Sequence, residues 1–348
     1  MAATQSSLKI IMITAHNCVR VAKEAIMLAR NGHEIHLLAK NIPPTSGPYK
    51  TRTRWNDAGD IRDLLQAFGS GYIIHVHNEP SYMVSIARTA MPDAKIIFDV
   101  HDSNYFRDMD DTHSWYEEDI AARLADGLVF VSDVSQKRFI KMQGKGFKRP
   151  SCVLPSASPE TWSRVGPWNW MGGLVSQGGH ALPDATVAGE ANSWRDYTEL
   201  YKELIEKKVR IFAFCAEFGR KQELVDYYSE LGVNPGVFTH DDMLDMLGGH
   251  DWSLCGNVGN SPVWNYAIPN KFFDALSAGV PIMNLNVPSV AKWIDKYGLG
   301  VNVSSVDEMI ERWPEHKEKR ANVILNRHHL YMENFIGRLI KLYEKVNG

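Results

Sequence analysis

The chain has 348 residues, 44% of them hydrophobic and 23% charged, with a formal net charge of -3. That length suits two domains better than one core, and the apolar content excludes an intrinsically disordered chain. The near-neutral balance supplies no general attraction for nucleic acid or an anionic membrane, and no run reaches the ~20 apolar residues of a membrane span.

From the N-terminus, MAATQSSLKIIMIT lacks the basic and apolar regions of a signal peptide. Short apolar, β-branched runs predict strands over 8–14, 34–39, 72–77, 95–100, 127–131 and 152–154. Near-continuous apolar character is expected of parallel strands covered on both faces. Between them lie helical patterns over 19–31, 57–68, 81–90, 114–124 and 133–142; in the first, Val19, Ala22, Ile26 and Ala29 recur at helical spacing before Asn31-Gly32. The segment 155–173, PSASPETWSRVGPWNWMGG, has no period and reads as a crossing between domains. Alternation then resumes, with helices over 194–207, 219–231, 241–247, 270–278 and 287–297 and strands over 209–215, 236–239, 252–255, 280–285 and 300–303. A charged helical tail runs from Val306 to Val346, broken at Trp313-Pro314. The expected class is α/β: two doubly wound parallel-sheet domains facing a cleft, 1–158 and 159–312, with 313–348 returning to the first. Cys18, Cys152, Cys215 and Cys255 fit neither a zinc site nor a disulfide framework. They read as reduced core thiols of a cytoplasmic protein.

Ligands of such sheets bind at the carboxyl ends of the strands, so residues that follow strands carry the functional reading. One strand runs into His75-Val-His77-Asn-Glu-Pro, where His77 either rims the cleft or caps the next helix. Another ends Asp99-Val-His101-Asp102, a pairing suited to proton transfer or to binding a hydroxyl. Asp99 itself reads as a fixer of neighbouring backbone or an orienter of a side chain. In the second half, Asn270 is a good N-cap, and Lys271 and Asp274 lie three apart on one helix face. A helix N-terminus with a lysine suits a diphosphate, and a carboxylate one turn on suits ribose hydroxyls; the alternative is a surface ion pair. Gly172-Gly173, followed further on by Arg195, would let backbone and guanidinium approach a phosphate, or serve turn geometry alone. Asp108-Met109-Asp110-Asp111 holds an Asp-x-Asp, which reads as a solvated helix start rather than a metal site.

KIIFDVHDSNYFRD, WYEEDIAARLADGLVFVSDVSQKRF and VLPSASPE resemble the N-domain pattern of GT-B glycosyltransferases of the GT4-like type, and IPNKFFDALSAGVPIMNL resembles their donor-binding segment. The resemblance spans about residues 73–303 and implies two Rossmann-like domains, a nucleotide diphosphate sugar as co-substrate, no cofactor and no metal. It places Lys271, Arg195, Gly172 and Gly173 by the diphosphate, Asp274 by the ribose, the loop reaching His240 by the base, and His101 near the transferred sugar. His16 stands, in Thr14-Ala-His16-Asn17, where the family carries a glycine-rich loop, and with His77 is assigned to the acceptor side. The family's second glutamate is replaced by Asp274, and Tyr266 stands at the first. The implied acceptor is a saccharide or another hydroxyl-bearing molecule. A modified DNA base is the less favoured alternative, with Lys137, Arg138, Lys141, Lys145, Lys148 and Arg149 as its basic patch or simply a solvated face. A non-catalytic nucleotide-sugar-binding protein and a two-domain epimerase remain as further alternatives.

Overall fold

Runs rich in Ile, Val and Leu build the first sheet from β1 (Lys9–Thr14), β2 (Glu34–Ala39), β3 (Thr51–Arg54), β4 (Ile73–His77), β5 (Lys95–Val100), β6 (Gly127–Phe130) and β7 (Ser151–Val153). They lie in the order β3-β2-β1-β4-β5-β6-β7, every pair parallel. β4 is buried at all positions, as a strand covered on both faces must be. The edge strand β3, TRTR, has no apolar residue to mark it, and sequence patterning missed it. The computed structural model describes residues 7–15, 18–41, 47–77, 80–107, 112–166, 168–183, 186–187, 190–191, 195–215, 221–259 and 261–348. His16 and Asp108–Asp111 therefore lie outside the described residues.

The second sheet comprises β8 (Leu174–Gly178), β11 (Ile211–Cys215), β12 (Asn234–Val237), β13 (Trp252–Gly256), β14 (Ile282–Leu285) and β15 (Gly300–Val303), with a small antiparallel pair, β9 (Thr186–Val187) and β10 (Glu190–Ala191), outside it. Its order is β12-β11-β8-β13-β14-β15, again all parallel. Strand order reverses at β1/β4 in one sheet and at β8/β13 in the other, which are the positions where doubly wound sheets open a crevice for ligand. β8, the first strand of this sheet and one side of its reversal, was also missed. Its run LVSQG is only half apolar, yet Leu174, Val175, Ser176 and Gln177 are all buried.

The chain divides into two compact units, residues 1–159 with 332–348 and residues 160–331. The segment belonging with the first sheet thus begins at Met332, and Trp313–Tyr331 stay with the second unit. Helix Ile336–Asn347 buries Leu339, Leu342, Tyr343 and Val346 and packs on β5, β6 and β7. Gly127 makes this approach possible, because a Cβ there would stand 3.2 Å from Leu342 and 3.3 Å from Val346. The expected helix forms as Val19–Arg30 and packs against both β2 and this tail helix, so its buried surface is wider than the row of Val19, Ala22, Ile26 and Ala29. Arg20 through Ala25 are all buried, charged residues included.

Candidate functional site

Two strands of the first sheet and one helix deliver polar groups to one buried cluster. Glu24 and Arg20 come from helix Val19–Arg30, His75 and His77 from β4, Asp99 from β5 and His101 from the turn after it. Arg20 donates to Asp99 through Nε (2.7 Å) and Nη2 (3.2 Å), and through Nη1 to the Leu154 carbonyl (2.9 Å) and Ser156 Oγ (3.1 Å). Its Nε also lies 3.0 Å from Glu24 Oε1. His77 Nδ1 is 3.3 Å from Asp99 Oδ2, His101 Nδ1 is 3.6 Å from the same oxygen, and His75 Nδ1 meets the Tyr343 hydroxyl at 2.6 Å.

Burial opposes charge throughout this cluster, and the pairings decide which groups keep it. For Asp99, burial is outweighed by Arg20 and His101, and its carboxyl is held well below the usual range. For His101, burial is outweighed by Asp99 and Cys18, which raise it well above the usual imidazole range. His75 and His77 are pushed down, first by burial, and stay neutral. Glu24 is pushed well up by burial and by the neighbouring Asp99. Ligating-type atoms of Glu24, His75, His77 and Asp99 lie within 4.8 Å of one another. A cation already stands there, however: the Arg20 guanidinium contacts both carboxylates. The Arg20–Asp99 ion pair thus shares this cluster with two imidazoles pushed down by burial and with a Glu24 carboxyl that burial pushes toward its neutral form.

Asp99 thus orients three side chains, Arg20, His77 and His101. Asp102, the expected partner of His101, is exposed, and the carboxylate facing the His101 ring is Asp99. His77 is fully buried within β4 and lies inside the network rather than on a rim. Sequence reasoning missed Arg20 and Glu24. Their signal was i,i+4 spacing of opposite charges on a helix that covers a sheet.

In the second unit, Lys271 is the second residue of helix Asn270–Ser277, whose N-cap is Pro269; Asn270 is the first helical residue and makes no cap. Lys271 Nζ donates to Tyr197 Oη at 3.1 Å and stands over the rings of Tyr197 (5.5 Å) and Trp264 (5.7 Å). Gln177, at the end of β8, donates to the Lys271 carbonyl at 2.8 Å. Asp274 is buried and faces His240 Nε2 at 3.5 Å across two helices. Arg195 packs on Gly179, where an added Cβ would lie 3.0 Å from Nη1. His180, next in sequence, is pushed down to about 3 by burial and by the positive charges of Lys271 and Arg195. The Lys271 ammonium and the His180 ring (5.4 Å between centroids) both stand against Tyr197, and Arg195 packs on Gly179, so both cations lie by the carboxyl end of β8.

Gly172 and Gly173 do not join them. They precede β8 and so stand at the amino edge of the sheet, with φ of 67° and 78°. Gly173 N–H donates to Asp251 Oδ2 at 2.8 Å, and a Cβ there would meet the Arg210 carbonyl oxygen at 2.4 Å. The pair permits close strand packing. Gly178-Gly179 occupies the carboxyl end instead, with Gly178 at φ 110°. Sequence reasoning missed this second pair because the strand before it was missed.

No protein-family model matches the chain, and no curated protein does. Solved structures do. HepE from Anabaena, in complex with UDP-glucose, superposes with a TM-score of 0.69 at 12% identity over 98% of this chain and 99% of its own. An alpha-glucosyltransferase in complex with UDP-glucose and DNA containing an abasic site gives 0.69 at 10% identity, covering 99% and 100%. Sucrose-phosphate synthase from Thermosynechococcus elongatus gives 0.67 at 12% identity, covering 97% and 99%. The chain has the fold of these glycosyltransferases, GT-B, with two Rossmann-like parallel sheets and flanking helices.

Proposed function

We propose that the chain is a glycosyltransferase that moves a sugar from a nucleoside diphosphate sugar to an acceptor hydroxyl. The observation that carries this is the placement of Lys271, held on Tyr197 and Gln177, and of Arg195, packed on Gly179, by the carboxyl end of β8, beside the strand reversal of the second sheet. Two fixed cations there would neutralise the diphosphate as it leaves, so that no metal is needed for charge balance. Tyr197 and Trp264 hold the Lys271 ammonium in place before any ligand arrives, which lowers the ordering cost of binding. Asp274 and His240 form a pair suited to the nucleoside hydroxyls.

In the first unit, burial is outweighed by Asp99, which raises His101 well above the usual imidazole range and favours its donating a hydrogen bond to a sugar or acceptor hydroxyl over abstracting a proton. Asp99, anchored by Arg20, keeps it charged and oriented.

The acceptor is a saccharide or another small hydroxyl compound. Lys137, Arg138, Lys141, Lys145, Lys148 and Arg149 are all exposed, but Lys145, Lys148 and Arg149 precede β7 and so lie toward the amino edge of the first sheet. A duplex reaching His101 at the opposite edge would not be neutralised by them.

Lys271→Ala should weaken UDP binding by roughly 10- to 100-fold, the equivalent of one charge-assisted contact. Titration calorimetry with UDP and UDP-glucose checks this, paired with an assay for UDP released only when a saccharide acceptor is added. Unchanged affinity would move the donor elsewhere, and UDP release with hydroxymethylated duplex but no saccharide would replace the acceptor.

A further inference from the structure

Cys18 takes no part in the reaction above, yet its surroundings are those of an activated thiol. It is the N-cap residue of the twelve-residue helix Val19–Arg30, half-buried, at the carboxyl end of β1. Its sulfur lies 3.9 Å from His101 Nε2. The other nitrogen of that ring, Nδ1, faces Asp99 Oδ2 at 3.6 Å, and Asp99 is clamped in turn by Arg20 through two nitrogens. A sulfur, an imidazole and a carboxylate thus stand in the order by which a neighbouring base activates a cysteine.

We propose that Cys18 is a nucleophilic thiolate and a site of covalent modification by small carbon electrophiles. The charges around it explain why. Burial pushes the thiol up, but the hydrogen bond and charge of His101 and the backbone N–H of Arg20 outweigh it, with Asp102 opposing, and the balance falls below the ordinary cysteine value. His101 is itself held in its charged form by Asp99, against burial and the nearby His77 and Arg20. The N-terminal end of the helix adds its partial positive charge. The other two cysteines with described side chains are pushed the other way by burial, Cys152 up to about 12 and Cys255 up to about 11.

With an α-haloamide the step is a simple displacement. Cys18 Sγ attacks the carbon bearing the halogen, the S–C bond forms, the C–halogen bond breaks and halide leaves with the electron pair. No proton is released, because the sulfur attacks without one. The product places a neutral thioether against His101 and removes the anion that helped to hold its proton.

The full-length protein is treated with iodoacetamide from pH 5.5 to 9, and alkylation of each cysteine-containing peptide is timed by mass spectrometry. Cys18 should react at pH 6.5 at least ~10-fold faster than Cys152 or Cys255, with a rate that rises less steeply toward pH 8.5 than theirs. His101→Gln should slow Cys18 by ~10-fold or more at pH 6.5 and restore a steep rise toward alkaline pH. A wild-type Cys18 rate that climbs with pH as an ordinary thiol does, or that matches Cys152, overturns the proposal. If His101→Gln fails to fold, Cys152 and Cys255 lose their protection together with it, and the wild-type profile decides alone. The measurement uses neither donor nor acceptor, so it stands or falls apart from the transferase reading.

Discussion

Buried imidazoles set how the chain responds to acid. Burial holds His75 and His77 below the usual range, and places His180 near about 3 and His250 near about 4. Each resists protonation when folded and accepts a proton freely when unfolded, so the unfolded state binds more protons once the pH drops below the ordinary histidine value. Their contribution is present above about pH 6.5 and is lost as pH falls toward the folded values. His33, also lowered by burial, adds to them, whereas Glu24 and His101, both raised well above their ordinary values, work in the opposite direction; the lowered imidazoles outnumber these two. The urea midpoint should therefore fall steadily between pH 6.5 and 4.5, before Asp99, held well down by Arg20, begins to titrate. A midpoint flat over that interval would mean that these imidazoles are solvated rather than buried.

Single glycines decide whether whole strands can pack. Gly173 leads into β8 with a left-handed φ and leaves no room for a Cβ beside the Arg210 carbonyl. Gly69, after helix Ala58–Phe68, has a similar φ of 73° but nothing within 4 Å of a would-be Cβ. Gly69→Ala should cost only the backbone term, about 1–2 kcal/mol, because φ 73° with ψ -159° is a region that glycine alone enters readily. Gly173→Ala should cost clearly more, about 2–4 kcal/mol, because either β8 or the Arg210 turn must shift. Urea unfolding of the two variants side by side tests this, and equal losses would show that β8 tolerates the displacement. Alternation of strand and helix was readable along most of the chain, since β5, β2 and β15 coincide with apolar runs that nothing else could explain. β3 and β8 were not: β3 is an edge strand of polar residues left largely open, and β8 buries Ser176 and Gln177 among its apolar neighbours.

At the scale of the molecule, the proposed division of labour assigns the donor to one unit alone. Hydrogen exchange with and without UDP should show protection at Gly178–His180, Tyr197 and Asn270–Asp274, all in residues 160–331, and little around His77 or His101. Protection confined to the first unit would reverse the assignment. Net charge belongs to this scale too. At -3 the chain has no bulk attraction for DNA, so any duplex affinity would have to come from a local patch and would fall steeply with salt.

Periodicity and composition by themselves determined the α/β class, the two-sheet plan and the importance of strand ends, because a parallel strand covered on both faces is largely apolar and such sheets meet their ligands at the carboxyl ends of the strands. His101 was reachable by that logic, and Lys271 by its place at a helix N-terminus. What only the tertiary structure decided was partnership. Nothing in the spacing of Arg20, Glu24, His75, His77 and Asp99 says that strand order brings them into one buried network, since β1, β4 and β5 are neighbours through crossovers rather than through sequence. Strand direction likewise separated two identical Gly-Gly pairs, sending Gly172-Gly173 to the amino edge of its sheet and Gly178-Gly179 to the carboxyl edge, where the cations gather.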